Sequence, residues 1–244
     1  MFEIRSTGAT DSTNDDAANI LGEPGSAGVV LLTDYQRRGR GRRARSWVAP
    51  PGSSLLFTAI LPVKVATDAL WAVPFWTSLG IAAGIETATG LRAGLQWPND
   101  LLLGERKCCG ILCISRISAE RAWVGCGTGI NVLRPATNGE FAALTPPPAF
   151  LSDAAPAVDR RTVLDAILAA YEDSLGLLER PLEVARAWEG RADLDGTPYR
   201  LLIDGETHAF VAIARRLADD GALVVEAATG ERRINLADAR VLRG

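Results

Sequence analysis

The sequence predicts an α+β protein: a mixed β-sheet flanked by helices over residues 1–190, then a small β-barrel over residues 191–244. Three observations carry that reading. Up to Gly190, apolar runs of strand length outnumber the segments with helical spacing. A proline-rich stretch, "RPATNGEFAALTPPPAFLSDAAP", separates those strands from two late helices. After Gly190 the pattern becomes short alternating strands, "YRLLI", "HAFVAIARRL", "ALVVEA" and "RRINL", broken by glycine or aspartate turns, as in a small barrel.

Taken in order, Asp11-Ser12-Thr13 precedes "NDDAANIL", so a helix starts near Ser12 with carboxylates in its first turn, where the helix dipole favours them. "AGVVLLTDY" reads as a buried strand and "SSLLFTAILP" as the next, ended by Pro62. Helical spacing runs from Asp68 to Thr89, with Pro74 at the start of the helix proper, and Gly80 and Gly84 imply close packing on a neighbour. "LQWPND", Leu95 to Asp100, is strand into turn, because Pro98 pushes Trp97 extended. "LLLGERKCCGILCIS" is a hairpin turning at Gly104-Glu105, and "AWVGCGTGINV" is a further strand. Helices follow from about Arg160 to Leu178 and from Pro181 to Trp188.

A chain of 244 residues with 48% hydrophobic and 23% charged residues has room for one large domain plus a small one, and is not disordered as a whole. The longest apolar runs, such as Leu79 to Ile85, fall short of the roughly 20 residues that span a bilayer, so no membrane partner is expected. The N-terminus "MFEIRSTGATDSTNDD" has no apolar targeting core, which points to a cytoplasmic location. Cys108, Cys109, Cys113 and Cys126 sit in strand sequence far from the single histidine, His208. They read as core thiols, not as metal ligands or disulfides, and His208 as an ordinary residue.

The stretch "QRRGRGRRARSW", Gln36 to Trp47, packs six arginines into a chain of net charge -3. Gly39 and Gly41 let backbone amides approach an anion closely, and arginines supply planar donors for phosphate oxygens. Small-anion binding, a solvated basic loop and nucleic-acid binding all stand at this point, although the acidic remainder and the single aromatic weaken the last. Repulsion among the arginines predicts that the loop is mobile until an anion binds. "WPND" is either a plain turn or a site corner, with Lys107, one of only two lysines, seven residues beyond Asp100. In "GCGTGINV", Gly127 and Gly129 permit either close backbone approach or a β-bulge.

Taken together, Ser12-Thr13-Asn14, Gln36, Gly39 to Arg42, Trp47, Trp97 to Asp100, Lys107, "CGIL" at Cys109 to Leu112 and "GTGIN" at Gly127 to Asn131 resemble the biotin protein ligase family. The tail, with "DDGALVVE" and "ADARVLRG", resembles that family's small SH3-like barrel. The catalytic part is then similar to class II aminoacyl-tRNA synthetases in fold. Three positions depart from the family pattern: Gln96 where it has lysine, Ala44 where it has glycine, and Cys109 where it has alanine. With the first motif at Asp11, the chain is expected to be the short form without an N-terminal DNA-binding module, so no DNA partner is expected.

The resemblance implies that biotin and MgATP give biotinyl-5'-adenylate and pyrophosphate, and that the biotinyl group then passes to one lysine of a carboxylase's biotin carboxyl carrier domain. It further implies biotin contacts from Ser12, Thr13, Asn14, Gln36, Gly39, Arg40, Gly41, Arg42, Lys107 and Gly110. ATP or adenylate contacts would come from Arg40, Arg42, Arg43, Trp47, Asn99, Lys107, Gly127, Gly129, Asn131 and Arg243, with Lys107, Arg42 and Asp100 catalytic. Magnesium would lie on the triphosphate near Asn99 or Asp100. The protein is expected to be a monomer or weak homodimer. The rivals are a lipoate ligase, whose glycine triplet after the arginine loop is missing here, and an RNA-binding module built on that loop.

Overall fold

The computed structural model describes residues 1–136, 141 and 144–242. Its larger sheet contains β1 (Glu3–Thr7), β2 (Val29–Thr33), β3 (Ser54–Ile60), β4 (Val65–Ala66), β5 (Gly94–Gln96), β6 (Asp100–Leu103), β7 (Arg106–Ser118) and β8 (Arg121–Asn131). The order is β1-β2-β3-β8-β7-β6-β5, with β4 also on β8. Only the β1–β2 pair is parallel, which makes the sheet mixed as the sequence predicts. Every residue of central β3 is buried, whereas edge strand β1 is largely exposed.

Helices cover both faces. Helix α1 (Thr13–Ile20) packs on β2, β3, β7 and β8, and α2 (Val73–Thr89) packs on β5, β6 and β7. Side chains alternate along a strand, so Gly127 meets Asn14 of α1 while neighbouring Cys126 meets Thr77 of α2 from the other side. Helix α3 (Arg160–Ser174) lies on α2. A Cβ on Gly80 would stand 2.5 Å from the Tyr171 ring, and one on Gly84 would stand 2.5 Å from Ile167, so these glycines do set the close approach. Thr67–Thr89 has the length and apolarity of a membrane span, yet 67% of its apolar window is buried inside the protein, as in a core helix. The four cysteines are free, and burial pushes the Cys109 thiol well above its usual value.

Two boundaries differ from expectation. Helix α3 tightens into a 3-10 turn at Leu175, and α4 (Pro181–Ala192) runs past Trp188 to end on Asp193 in the left-handed region. The tail forms β9 (Pro198–Ile203), β10 (Phe210–Leu217), β11 (Leu223–Ala227), β12 (Gly230–Ile234) and β13 (Ala239–Val241), an antiparallel sheet of order β12-β11-β10-β9-β13. Here the barrel reading is corrected to a coarser one. β12 and β13 are the two edges of an open sheet, and β13 offers only three residues for pairing. One continuous apolar core joins this sheet to the larger one, running from Trp97 to Tyr199, Leu201 and Leu223.

Candidate active site

The start of α1 builds an uncharged corner. Ser12, Thr13 and Asn14 are all buried there. Ser12 occupies the N-cap position without a capping bond from its side chain, so its hydroxyl is not spent on the helix. Gln36 Oε1 accepts from the Thr13 amide at 2.8 Å and lies 3.1 Å from the Thr13 hydroxyl. Asn14 Nδ2 donates to the Leu112 carbonyl at 2.9 Å. Gly127 sits beneath this amide in regular register between Thr58 and Leu112, not in a bulge. A Cβ there would fall 2.2 Å from Asn14 Oδ1, so only glycine fits.

The arginine stretch closes over the corner, and carboxylates meet its charges. Arg37 and Arg38 pair with Asp11, Arg40 with Asp15 at 2.9 Å, and Arg43 with Asp204 from the β9–β10 turn. These four carboxylate contacts offset part of the repulsion expected among the six arginines. Arg42 reaches inward, donating from Nη1 to Asn99 Oδ1 at 3.3 Å and from Nη2 to the Leu236 carbonyl. Burial lowers its pKa from the ordinary guanidinium value, and neighbouring Arg43 adds to the effect. Ala44, in place of the family's glycine, has φ +57°, a conformation that favours glycine.

The floor beyond the loop is glycine-lined. The Trp47 indole lies on Gly110 and Gly129, where added Cβ atoms would approach it to 2.9 and 2.5 Å. Lys107 Nζ is 5.5 Å from the centre of that indole and 2.6 Å from Asp100 Oδ1. Asn99 is pinned to β7, its Nδ2 donating to the Ile111 carbonyl at 2.7 Å. The tail fastens the same corner. The Trp97 amide donates to Tyr199 Oη at 3.2 Å and its indole to the Gly221 carbonyl at 3.3 Å. Burial pushes the Tyr199 phenol up to about 12.

One cavity is lined by the uncharged side chains of Ser12, Thr13, Asn14 and Gln36, by the cationic Arg40, Arg42, Arg43, Arg45 and Arg240, and by Lys107. Gly41, Trp47, Asn99, Asp100, Gly110, Gly127 and Gly129 line it as well. Two predicted residues lie off it. Gly39 lines a second groove on the outer side of the loop, and Asn131 is buried beside Ser54, whose hydroxyl donates to it at 3.4 Å. Arg243 lies outside the described residues. Sequence reasoning missed Thr58, whose hydroxyl touches both Thr13 and Asn14, because a threonine inside an apolar strand has no motif around it. It also missed Asp204, Leu236 and the β13 wall at Ala239 to Val241, which only tertiary structure brings in.

Among the described residues no histidine, cysteine or carboxylate cluster makes a metal cage. The donor set does suit magnesium, which needs one or two protein oxygens when phosphates supply the rest. Asn99 Oδ1 and the Asp100 carboxylate are the oxygens in place, and in this structure Arg42 and Lys107 hold them.

The family model described as "Biotin/lipoate A/B protein ligase family" matches residues 8–131, which hold all of these motifs. The biotin–acetyl-CoA-carboxylase ligase of Paracoccus denitrificans is 31% identical, covering 94% of this chain and 96% of its own. The bifunctional ligase/repressor BirA of Bacillus subtilis is 27% identical over 93% of this chain and 70% of its own. In fold, the biotin protein ligase of Aquifex aeolicus in complex with biotin and ATP superposes with a TM-score of 0.78, at 22% identity and over 100% of both chains. With that extent of match and the glycine-arginine loop, WPND corner and lysine all converging on one cavity, the chain belongs to the biotin/lipoate A/B protein ligase family.

Proposed function

We infer that the chain is a biotin protein ligase: it activates biotin with ATP to biotinyl-5'-adenylate and transfers the biotinyl group to a lysine of a biotin carboxyl carrier domain. The observation that carries this reading is that one cavity brings the uncharged Ser12, Thr13, Asn14 and Gln36 together with the arginines of the loop and with Lys107. A cyclic urea needs neutral donors and acceptors, which Ser12, Thr13 and Gln36 supply. Phosphates need the arginines. A ligand held by both groups brings its carboxylate and the α-phosphate to the cavity that Lys107 lines.

In the first half-reaction the carboxylate oxygen attacks the α-phosphorus and pyrophosphate leaves. Charge gathers on phosphorus, and stabilising it is the main task. Lys107 supplies a compact ammonium there, while Arg40, Arg42 and Arg43 hold the phosphates. Trp47, with the glycine floor it lies on at Gly110 and Gly129, takes the adenylate, while Gly127 makes room for Asn14 in the uncharged corner. Magnesium, held by Asn99, Asp100 and phosphate oxygens, would neutralise part of the triphosphate charge. In the second half the carrier amine attacks the acyl carbon and AMP leaves. Asp100, released from Lys107, accepts the amine proton.

The same reading treats residues 1–190 as the catalytic unit and residues 191–244, an open five-stranded sheet, as a unit of the SH3-like barrel type. It takes a monomer or weak homodimer in the cytoplasm as the working state and assigns no role to DNA or a membrane. Lipoate ligase is disfavoured because the uncharged corner has no use for a head group without hydrogen-bonding atoms. RNA binding is disfavoured because aspartates meet the outer arginines. The test is mass spectrometry of a purified carrier domain after incubation with this protein, biotin and MgATP. One biotinyl adduct on one lysine is expected; an unmodified carrier, or lipoate in place of biotin, overturns the reading.

A further inference from the structure

Thr58 lies in the middle of β3, fully buried at 0% exposure. Its Oγ1 stands 2.9 Å from Thr13 Oγ1 and 2.8 Å from Asn14 Oδ1. A hydroxyl carries one proton, so both bonds cannot be donated at once. The neighbours decide the arrangement. Asn14 Oδ1 only accepts, because its Nδ2 already faces the Leu112 carbonyl. Gln36 Oε1 also only accepts, and Thr13 Oγ1 lies 3.1 Å from it. Gln36 Oε1 is already served by the Thr13 amide at 2.8 Å, so the Thr13 hydroxyl donates to Thr58, and Thr58 donates on to Asn14. Both amide side chains are then turned with their oxygens inward.

We propose that Thr58 is a positioning and specificity-determining residue: through Thr13, Asn14 and Gln36 it fixes the uncharged corner so that it matches a cyclic urea and not an acid with an apolar head. The proposal rests on the ligase reading above and deepens it. A urea head brings two N–H donors and one carbonyl acceptor, so it is held only where partner orientations are set in advance. Buried, unpaired polar atoms are what reject the wrong ligand in such a pocket. Thr58 does not line the cavity, so its effect passes through the residues it holds.

The test replaces the hydroxyl by a methyl of similar size. Thr58→Val leaves Asn14 Oδ1 without that donor, and a rise in KM for biotin on the order of 10- to 100-fold is expected. In biotin-dependent pyrophosphate release, kcat and the KM for ATP should stay within about threefold, and Thr58→Ser should restore the parent KM. Calorimetry should show desthiobiotin, which keeps the urea, losing affinity in parallel, while octanoate, which has none, does not. A biotin KM within twofold of the parent, or an equal rise for ATP, overturns the proposal. If Thr58→Val loses its melting transition, Thr58→Cys takes its place with the same outcomes read against each other. Failure of the parent itself to release pyrophosphate with biotin would sink the ligase reading instead, so the two failures are distinct.

Discussion

Lys107 and Asp100 form an ion pair across the β6–β7 hairpin, Nζ to Oδ1 at 2.6 Å, with side chains 29% and 15% exposed. The lysine is thus held in the cavity and aimed before any ligand arrives. Lys107→Ala is expected to abolish biotin-dependent pyrophosphate release, a loss of at least about 1,000-fold for removal of charge at the reacting phosphorus, while the melting temperature moves by only a few degrees. Release at the parent rate would remove Lys107 from the mechanism.

Arg42 spans the loop, Asn99 and the Leu236 carbonyl. Arg42→Gly should slow retention of the adenylate more than its formation, so that activated biotin labels bystander proteins. Probing a mixture of the variant with an inert lysine-rich protein should show several-fold more biotin on that protein than the parent gives. Equal labelling would mean that the loop does not retain the intermediate.

Arg43 is only 19% exposed and paired with Asp204 of the tail. An exposed ion pair contributes about 0.2 to 1 kcal/mol, so Asp204→Asn should speed tryptic cleavage within residues 42–45 by roughly two- to fivefold. The measurement is the cleavage time course without ligand. Unchanged cleavage would show that the tail does not anchor the loop.

Gly127→Ala puts a methyl group 2.2 Å from Asn14 Oδ1. Backbone register on both sides prevents the strand from yielding. Overpacking of this kind costs about 1 to 3 kcal/mol, and the displaced Asn14 should weaken biotin binding at least tenfold. Denaturant titration and calorimetry read the two effects separately.

The Tyr199 phenol is neutral in the fold, and burial raises its pKa to about 12. The unfolded phenol ionises near 10. The sign follows: stability is full below about pH 10 and is lost as pH rises towards 12, by roughly 2 to 3 kcal/mol for this group. Urea midpoints of the parent should fall over that range. Tyr199→Phe should flatten the fall, although Cys109 and Tyr171, also raised by burial, leave part of it.

The elements were legible where local chemistry decides them. Pro74 and Gly90 bracket α2, and Gly104 turns the hairpin that carries Lys107. The motif residues were legible as a set because Gly110, Gly127 and Gly129 allow side chains to touch backbone, a requirement written into sequence. Thr58 was not, since its importance comes from register against Gly127 across a sheet pairing 69 residues distant in sequence. The partners of Arg42 and Arg43 were hidden for a similar reason. Leu236 and Asp204 reach the loop only after the tail has docked.

Trp97 is wholly buried, and its amide and indole are bonded to Tyr199 and Gly221 of the tail. A cut after α4, between residues 193 and 194, would strip that cover from one fragment and leave Tyr199 and Leu201 bare on the other. Neither piece covers its share of the core alone, so the catalytic corner and the tail stand or fall together.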